Sequence, residues 1–556
     1  VNEGIIPTNG ARSGILSELD RESLGRHHLH LAPSRKENAY IQQFYLYLNV
    51  SRPSERLYVS FSGRNRKGEV LRPSYLVGML RSLYPGCVPV SAPLTPASRR
   101  QGLELLARQL GMAEETENRP VLEGLLAYFQ EEPVSAGKLA RVLQAAKGQQ
   151  RRTALDRAAV RAVYGETLVG SVTRLEKYAS CAYAHFLSYG LRLKERQEYT
   201  FAAMDLGNVL HKALELYTGE LEKSSYTWFD IPTEEQAALM DRCIGQVAEE
   251  YGNTILRSTA RNTYMIDRMK QMGRRTVWAI TEQIWCGRFA PRGFEISFSA
   301  AEHLDAVTFT LGTGTKMKLT GRIDRTDVYE DDGHVYVKVM DYKTGRKTFD
   351  VGEVYHGLSL QLAVYMNAAL EMEQRTHAGK EIVPAAMLYY QIKDPIIDAE
   401  DDISPEQLEE ERRKALCTKG LVNRDPDIIH LLDGRIGASS WAIPAGVTKT
   451  GALSARSSAA DTAQMEQLFA RVRTQMTRFG TEIMEGSMEA RPVKKGEQTA
   501  CDFCPYGGIC GFDPKLPDEQ FRRIPSLGAA DVWEKLAQTS ETGEQKTDTL
   551  SRKGDA

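Results

Sequence analysis

Three residues of one short segment, Asp324, Asp341 and Lys343, could together cut a phosphodiester bond. Two carboxylates can hold a hard divalent cation such as Mg²⁺, and a nearby lysine can position the attacking water or stabilise charge on the phosphate. In the run 335–340, valine recurs at every second position, so Asp341 and Lys343 are predicted to share one face of a strand. The alternative is a solvated hairpin with ordinary surface charges.

The surrounding elements are predicted to bring these residues together. The runs 319–329 and 334–342 are rich in β-branched and aromatic residues, and the turn Asp331-Asp-Gly333 between them is a strong hairpin signal. Asp324 on the first strand can then reach the face that carries Asp341. Two carboxylates and an ammonium are therefore expected to converge.

Neighbouring residues fit the same interpretation. Gln361 and Tyr365 lie one helical turn apart, placed to contact the catalytic strand or a phosphate. His211 lies beside an apolar helical stripe, where a histidine alone is more often packed or solvated than a ligand. A cluster of basic residues suits a phosphate backbone, although solvated strands carry such charge too. Its members are Lys316, Lys318, Arg322, Arg325, Lys338, Lys343, Arg346 and Lys347.

Four cysteines form a second group of residues with possible chemistry. Cys501, Cys504 and Cys510 have the close spacing of soft-metal ligands, and Cys181 follows a predicted capped helix that begins at Ser171. Four thiolates suit tetrahedral zinc or an iron–sulfur cluster, so spacing leaves both open. The other cysteines have no ligand-like partners and are predicted to be buried small hydrophobic residues. These are Cys87, Cys243, Cys286 and Cys417.

Composition limits the class of protein. The chain has 556 residues, 42% of them hydrophobic, which is enough for more than one domain. Its net charge of −2 means that any nucleic-acid binding depends on local patches. It has no apolar run of membrane-spanning length, no signal peptide and only eight cysteines, so a reducing cytoplasm is expected. It begins at Val1 rather than methionine, which suggests the C-terminal part of a longer polypeptide.

Three regions are predicted along the chain: residues 1–165, 166–515 and 516–556. The second mixes helices with strands, and the tail beyond about residue 535 is polar and predicted to be disordered. In the first region, a strand is predicted at Arg56–Phe61. Helices are predicted there near Glu37–Leu48, Tyr75–Leu83, Arg99–Leu110, Leu122–Phe129 and Lys138–Ala146.

Several of these motifs resemble those of known families. The set Gly207-x-x-x-His211, Gly321-Arg-Ile-Asp324-Arg325, Asp341-Tyr-Lys343 and Gln361-x-x-x-Tyr365 resembles the RecB-type branch of the PD-(D/E)xK nuclease superfamily. Cys181 and the trio Cys501, Cys504 and Cys510 resemble the iron-staple arrangement of AddB subunits of bacterial AddAB helicase–nucleases. The runs 1–7 and 45–58 resemble the last motifs of a superfamily 1 helicase-like core.

The resemblance implies an α/β chain, in which the end of a helicase-like domain precedes a nuclease domain with a central mixed sheet and a cysteine-ligated cluster. It implies that His211, Asp324 and Asp341 bind catalytic Mg²⁺ and that Lys343 is the catalytic lysine, with Gln361 and Tyr365 completing the site. It also implies a 4Fe-4S cluster as a structural clasp. The cluster ligands would be Cys181, Cys501, Cys504 and Cys510.

The implied function is single-stranded DNA exonuclease activity on the 5′-ended strand, within an ATP-dependent helicase–nuclease that processes double-strand breaks for homologous recombination. The implied partners are an AddA-type motor–nuclease subunit in a heterodimer, a DNA duplex end and a Chi sequence, with no membrane. The run Leu48–Pro53 is a poor version of an ATP-contacting motif, and no Gly-x4-Gly-Lys-Ser/Thr loop occurs, so helicase activity is not expected. The alternatives are a non-catalytic DNA-binding scaffold and a Cas4-like stand-alone exonuclease.

Overall fold

The computed structural model divides into two compact units, Val1–Lys147 and Gly148–Ala556. No helix in the described part of the chain combines the length and apolar character needed to cross a bilayer. Arg346 of the predicted basic cluster lies outside the described residues. The structure describes all residues except 7, 9–16, 30, 65–69, 91–95, 97, 111–118, 133–135, 147–153, 197–200, 202, 299–303, 305–306, 346, 398–403, 515–518 and 539–556.

Unit 1, Val1–Lys147, is mainly helical where it is described. The five helices predicted from the sequence correspond to α2–α6 below, so these predictions are confirmed. A small core forms where Leu106, Phe129 and Leu139 pack together from three of them. The helices are α1 (Glu18–Arg26), α2 (Arg35–Ser51), α3 (Tyr75–Leu83), α4 (Arg99–Leu110), α5 (Arg119–Glu131) and α6 (Ala136–Ala146).

The strand predicted at Arg56–Phe61 is wrong. No strand is assigned to this run, and Tyr58 within it is exposed. The neighbouring residues are held by a side chain, because Asn2 Nδ2 donates to the carbonyls of Ser62 (2.8 Å) and Arg72 (3.1 Å). A strand requires a hydrogen-bonded neighbour as well as a suitable composition.

Unit 2, Gly148–Ala556, is built around a six-stranded sheet with the order β2-β5-β6-β7-β8-β9. Pairs β6–β7 and β8–β9 are parallel and the other pairs are antiparallel, so the predicted central mixed sheet is confirmed. Two three-stranded sheets, β1-β4-β3 and β11-β10-β12, complete it. The strands are β1 (Thr167–Gly170), β2 (Ala290–Phe298), β3 (Thr308–Thr310), β4 (Lys316–Leu319), β5 (Gly321–Glu330), β6 (His334–Lys343), β7 (Glu381–Gln391), β8 (Lys419–Asn423), β9 (Ala459–Ala460), β10 (Val493–Lys495), β11 (Gln498–Thr499) and β12 (Arg522–Arg523).

Helices surround this sheet. The helix predicted to follow Ser171 is α8, although the Ser171 hydroxyl contacts Thr173 Oγ1 (2.8 Å) and makes no capping bond. The helices are α7 (Arg157–Tyr164), α8 (Val172–Ser180), α9 (Ala182–His185), α10 (Ala203–Lys223), α11 (Thr233–Glu250), α12 (Ala260–Cys286), α13 (Val351–His356), α14 (Gln361–Thr376), α15 (Pro405–Ala415), α16 (Pro426–Leu432), α17 (Thr462–Met484) and α18 (Gly507–Cys510).

The two faces of the sheet belong to two separate cores. On β6, Val337 and Val339 pack into the first core, with α8, α14 and α17. Met340 and Tyr342 pack into the second core, with α10, α11 and α12. The alternation of side chains along β6 therefore reaches both cores, and both faces of this central strand are covered.

The predicted β5–β6 hairpin is confirmed. Asp331 Oδ1 accepts hydrogen bonds from the Gly333 and His334 amides, at 2.9 and 2.7 Å, which closes the turn. Such local bonding explains why aspartate and glycine favour turns. The turn fixes the register of β6, and with it the face that carries Asp341.

The C-terminal segment is helical over residues 529–538, and Val532 and Leu536 are buried in the first core. The disorder predicted from about residue 535 is therefore wrong for 535–538. For residues 539–556 the prediction lies outside the described chain. Buried apolar residues at a spacing of four explain why this stretch packs as a helix.

Candidate active site

Asp341 and Lys343 lie at the C-terminal end of β6 and point to the same side. The Lys343 ammonium contacts Asp341 Oδ2. Asp341 is buried, at 1% exposure, whereas the Lys343 side chain keeps 28%. The structure thus places one carboxylate at the floor of the site and an ammonium at its edge, as the period-two pattern predicts.

Asp324 on β5 and His211 on α10 complete the centre of the site. The Tyr342 amide donates to Asp324 Oδ2 (2.7 Å), and His211 Nδ1 lies 3.6 Å from the same oxygen. His211 Nε2 lies 3.1 Å from the Tyr342 carbonyl oxygen. The backbone of Tyr342, between Asp341 and Lys343, therefore holds both groups against the end of β6.

The electrostatics of this centre favour a cation. Burial and the neighbouring Asp341 raise the pKa of Asp324 to about 7. Burial also raises the pKa of Asp341, opposed by the ammonium of Lys343. For His211, burial disfavours the charged ring, but Glu295 and Asp324 nevertheless raise its pKa. Carboxylates gathered out of water in this way repel one another unless a positive charge joins them.

Glu295 belongs to the site, although no pattern in the sequence points to it directly. Its Oε1 lies 3.7 Å from His211 Nδ1, and it sits on β2, next to Asp324 on β5. Its backbone φ is 49°, an uncommon value for a residue that is not glycine. Among the described residues, His211, Glu295 and Asp324 form the one group whose ligand atoms all lie within 4.8 Å of one another.

Gln361, the first residue of α14, connects the parts of the site. Its Nε2 donates to Asp341 Oδ1 (2.8 Å) and its Oε1 accepts from Lys343 Nζ (3.1 Å). The same amide nitrogen donates to the Tyr365 hydroxyl (2.9 Å), one helical turn further on. The predicted contact between this helix face and the catalytic strand is therefore present.

The family model of the PD-(D/E)XK nuclease superfamily matches residues 170–511, which include every residue of this site. The chain belongs to the PD-(D/E)XK nuclease superfamily. The first and last residues of the match also enclose the six strands of the central sheet.

Individual relatives of this superfamily chain share one name, which describes them as the B subunit of an ATP-dependent helicase/deoxyribonuclease. The chain is 35% identical to that of Lachnoclostridium phytofermentans, with 100% of the chain and 48% of the relative covered. It is 32% identical to that of Alkaliphilus metalliredigens (97% and 48%) and 31% identical to that of Clostridium acetobutylicum (98% and 48%). The chain spans about half the length of these curated relatives.

The Gly207-x-x-x-His211 motif of this PD-(D/E)XK chain has a steric explanation. A Cβ at Gly207 would lie 3.1 Å from Thr344 Oγ1, closer than ordinary packing allows. Thr344 directly follows Lys343, so the absence of a side chain at Gly207 lets α10 approach the end of β6. His211, one turn later on the same helix face, then reaches Asp324.

The four predicted cluster cysteines lie close together. Cys181 and Cys504 pack in one small cluster with Tyr506, whose hydroxyl donates to Ser188 Oγ (3.0 Å). Burial and the neighbouring thiols of Cys181, Cys504 and Cys510 raise the pKa of Cys501 to about 11. Residues more than three hundred positions apart therefore meet in one thiol group.

The prediction that the other four cysteines are buried is only partly correct. Cys243 is buried in the second core, and Cys286 and Cys417 are half-buried. Cys87 is exposed, because helix α3 of unit 1 ends before it and its turn is open to solvent.

The predicted basic cluster is not one surface. Arg325 and Lys338 are buried on the second face of the sheet, where both pair with Asp327. Arg325 donates to both Asp327 oxygens, at 2.5 and 2.6 Å. An arginine held in this way inside the protein does not contact a phosphate backbone, so these two residues leave the predicted DNA-binding set.

Proposed function

We propose that this chain is the nuclease-bearing part of an AddB-type subunit and that it hydrolyses single-stranded DNA with a bound Mg²⁺. The observation that carries the proposal is the convergence of His211, Glu295, Asp324, Asp341 and Lys343 at one end of the central sheet. The name that the relatives share supports DNA as the substrate. A solvated hairpin would not bury these carboxylates.

The donor set fits a hard divalent cation. Glu295, Asp324 and Asp341 offer carboxylate oxygens, and His211 offers a ring nitrogen from the opposite side. When bound, the ion would polarise the phosphate and lower the pKa of an attacking water. Lys343, held by Asp341 and Gln361, would stabilise the charge that develops on the phosphate. Gln361 keeps both groups in one orientation.

Glu295→Gln is expected to raise the Mg²⁺ concentration for half-maximal DNA cleavage about tenfold, because loss of a carboxylate from such a site typically costs that much in metal affinity. The measurement is a Mg²⁺ titration of cleavage rate with excess DNA. Glu381→Gln, at the exposed start of β7, is the matched control and should leave the titration unchanged. An unchanged midpoint in Glu295→Gln would exclude Glu295 as a ligand.

The cysteines fit a cluster that is larger than one zinc ion. A tetrahedral zinc holds its sulfurs about 3.8 Å apart, given bonds of about 2.3 Å. No three of these sulfurs lie within 4.8 Å of one another among the described residues. We infer that Cys181, Cys501, Cys504 and Cys510 hold a 4Fe-4S cluster, which ties the beginning of the nuclease region to its end.

The finer assignments follow from the resemblance to AddB subunits. They are action on the 5′-ended strand after a double-strand break, participation in Chi recognition, and a heterodimer with an AddA-type motor in the cytoplasm. Lys347 is a candidate phosphate contact, because its ammonium lies 5.9 Å from the Tyr389 ring that Lys343 also faces. Such a contact would be independent of DNA sequence.

The test of the nuclease proposal is digestion of single-stranded DNA labelled at either end, with Mg²⁺ or with EDTA, by the protein purified with its partner. Mg²⁺-dependent loss of the 5′ label, abolished in Asp341→Ala, is expected. DNA binding without any cleavage attributable to Asp341 would instead favour a non-catalytic scaffold.

Supply of the strand is expected to depend on the partner's ATP hydrolysis, because this chain has no phosphate-binding loop. With the partner's ATP site mutated, unwinding of a blunt duplex and degradation of the 5′-ended strand should stop together. A preformed single-stranded overhang should still be cut. Continued ATP-driven unwinding with the inactive partner would mean that this chain's protein is itself a helicase.

A further inference from the structure

Helix α14 begins at the catalytic site without a cap of its own. The residue before it, Leu360, makes no side-chain capping bond. Instead Glu176 Oε1 accepts hydrogen bonds from the amides of Leu360 (2.6 Å) and Gln361 (3.2 Å). A carboxylate at this position satisfies free amides and opposes the positive end of the helix dipole.

The capped residue is the one that organises the site. Gln361 contacts Asp341 through its amide nitrogen and Lys343 through its amide oxygen. A shift of the first turn of α14 would therefore move the group that holds both side chains. Misplacement by about 1 Å can cost two orders of magnitude in rate.

Glu176 belongs to another part of the chain, helix α8. The neighbouring residues Leu175, Tyr178 and Ala179 are buried in the first core, which fixes α8 against α14. Helix α8 ends at Cys181, five residues after Glu176. One short helix therefore carries both the cap of α14 and a member of the thiol group.

We propose that Glu176 is a positioning residue that couples helix α8, and with it Cys181, to the placement of Gln361 in the active site. Glu176 does not touch the reacting atoms and acts through the first turn of α14. The coupling rests on the proposed nuclease function for its kinetic consequence, but the structural link between α8 and α14 does not require it.

The kinetic test compares Glu176→Ala and Glu176→Gln with wild type in the intact complex. Glu176→Ala should lower kcat for DNA cleavage about 10- to 100-fold with little change in KM, because the site is misaligned while DNA contacts remain. Glu176→Gln keeps an acceptor oxygen and should stay within about threefold of wild type. Glutamine as inactive as alanine would overturn the proposal.

Asp461→Ala is the matched control for simple loss of stability. Asp461 caps α17 by accepting from the Gln464 amide (2.8 Å), and α17 carries none of the site residues. Both alanine variants should lower the melting temperature, but only Glu176→Ala should lower kcat. An equal fall of kcat in both variants would overturn the positioning role.

Hydrogen exchange separates this inference from the nuclease proposal itself. The amides of Leu360 and Gln361 should exchange at least about tenfold faster in Glu176→Ala than in wild type, and at the wild-type rate in Asp461→Ala. Cys181→Ala should also accelerate them, because α8 loses its C-terminal attachment. Unchanged exchange in Glu176→Ala overturns the positioning role, and unchanged exchange in Cys181→Ala overturns the link to the thiol group, even if wild type cuts no DNA.

Discussion

Asp341→Ala should reduce DNA cleavage by this chain at least about 10³-fold while the protein remains folded. Asp341 is the most buried carboxylate of the site and contacts both Lys343 and Gln361. Its loss removes a proposed metal ligand, and metal stabilisation of the transition state is worth several kcal/mol, with about 1.4 kcal/mol for each tenfold in rate. The measurement is the single-turnover rate of cleavage of end-labelled single-stranded DNA.

The cost to folding is expected to be small by comparison. The Lys343 side chain is 28% exposed, so its ammonium can turn to water when Asp341 is lost. We expect a loss of about 1–3 kcal/mol in the free energy of unfolding. Asp332→Ala, in the exposed turn of the same hairpin, is the control and should keep wild-type activity. Undiminished cleavage in folded Asp341→Ala would show that the chemistry lies elsewhere.

Local pattern was sufficient to predict the catalytic hairpin. The alternation along 335–343 and the Asp-Asp-Gly turn specify a strand pair with Asp341 and Lys343 on one face, and the structure has this pair. Glu295 could not be found in this way. It reaches His211 because β2 pairs with β5, and the register of strands so far apart depends on the whole sheet.

Charge was a weaker guide than periodicity. Arg325 and Lys338 belong to the predicted basic cluster, yet they lie on the second face of a central strand pair and share Asp327 inside the protein. Covered strands can bury charge only when it is paired. The sequence order shows the charge but not the cover, which comes from distant helices α10–α12.

Tertiary structure also decided two other assignments. The spacing of Cys501, Cys504 and Cys510 predicts a ligand group, but Cys181 joins it only because α8 runs beside the C-terminal segment. Conversely, Arg56–Phe61 has the composition of a strand and finds no strand partner among the described residues. In both cases the deciding contact lies far away in the sequence.

Alanine substitution at Cys181, Cys501, Cys504 or Cys510 should each abolish iron binding and destabilise the nuclease region. Anaerobically purified wild type is expected to be brown and to contain iron and acid-labile sulfide. The group closes a loop of more than three hundred residues, and the constraint that it puts on the unfolded chain is worth ~5 kcal/mol. Metal binding is coupled to folding, so proteolysis should become faster and binding to DNA ends weaker.

Cys243→Ala is the matched control for the buried Cys181, since Cys243 lies in the second core away from the thiol group. It should lose some packing energy but keep its iron and its resistance to protease. Stoichiometric zinc without iron in wild type would contradict the iron assignment and leave the clasp intact. If a folded Cys181→Ala retained full iron and wild-type resistance to protease, the clasp itself would be wrong, because the start of the nuclease region would then not depend on its end.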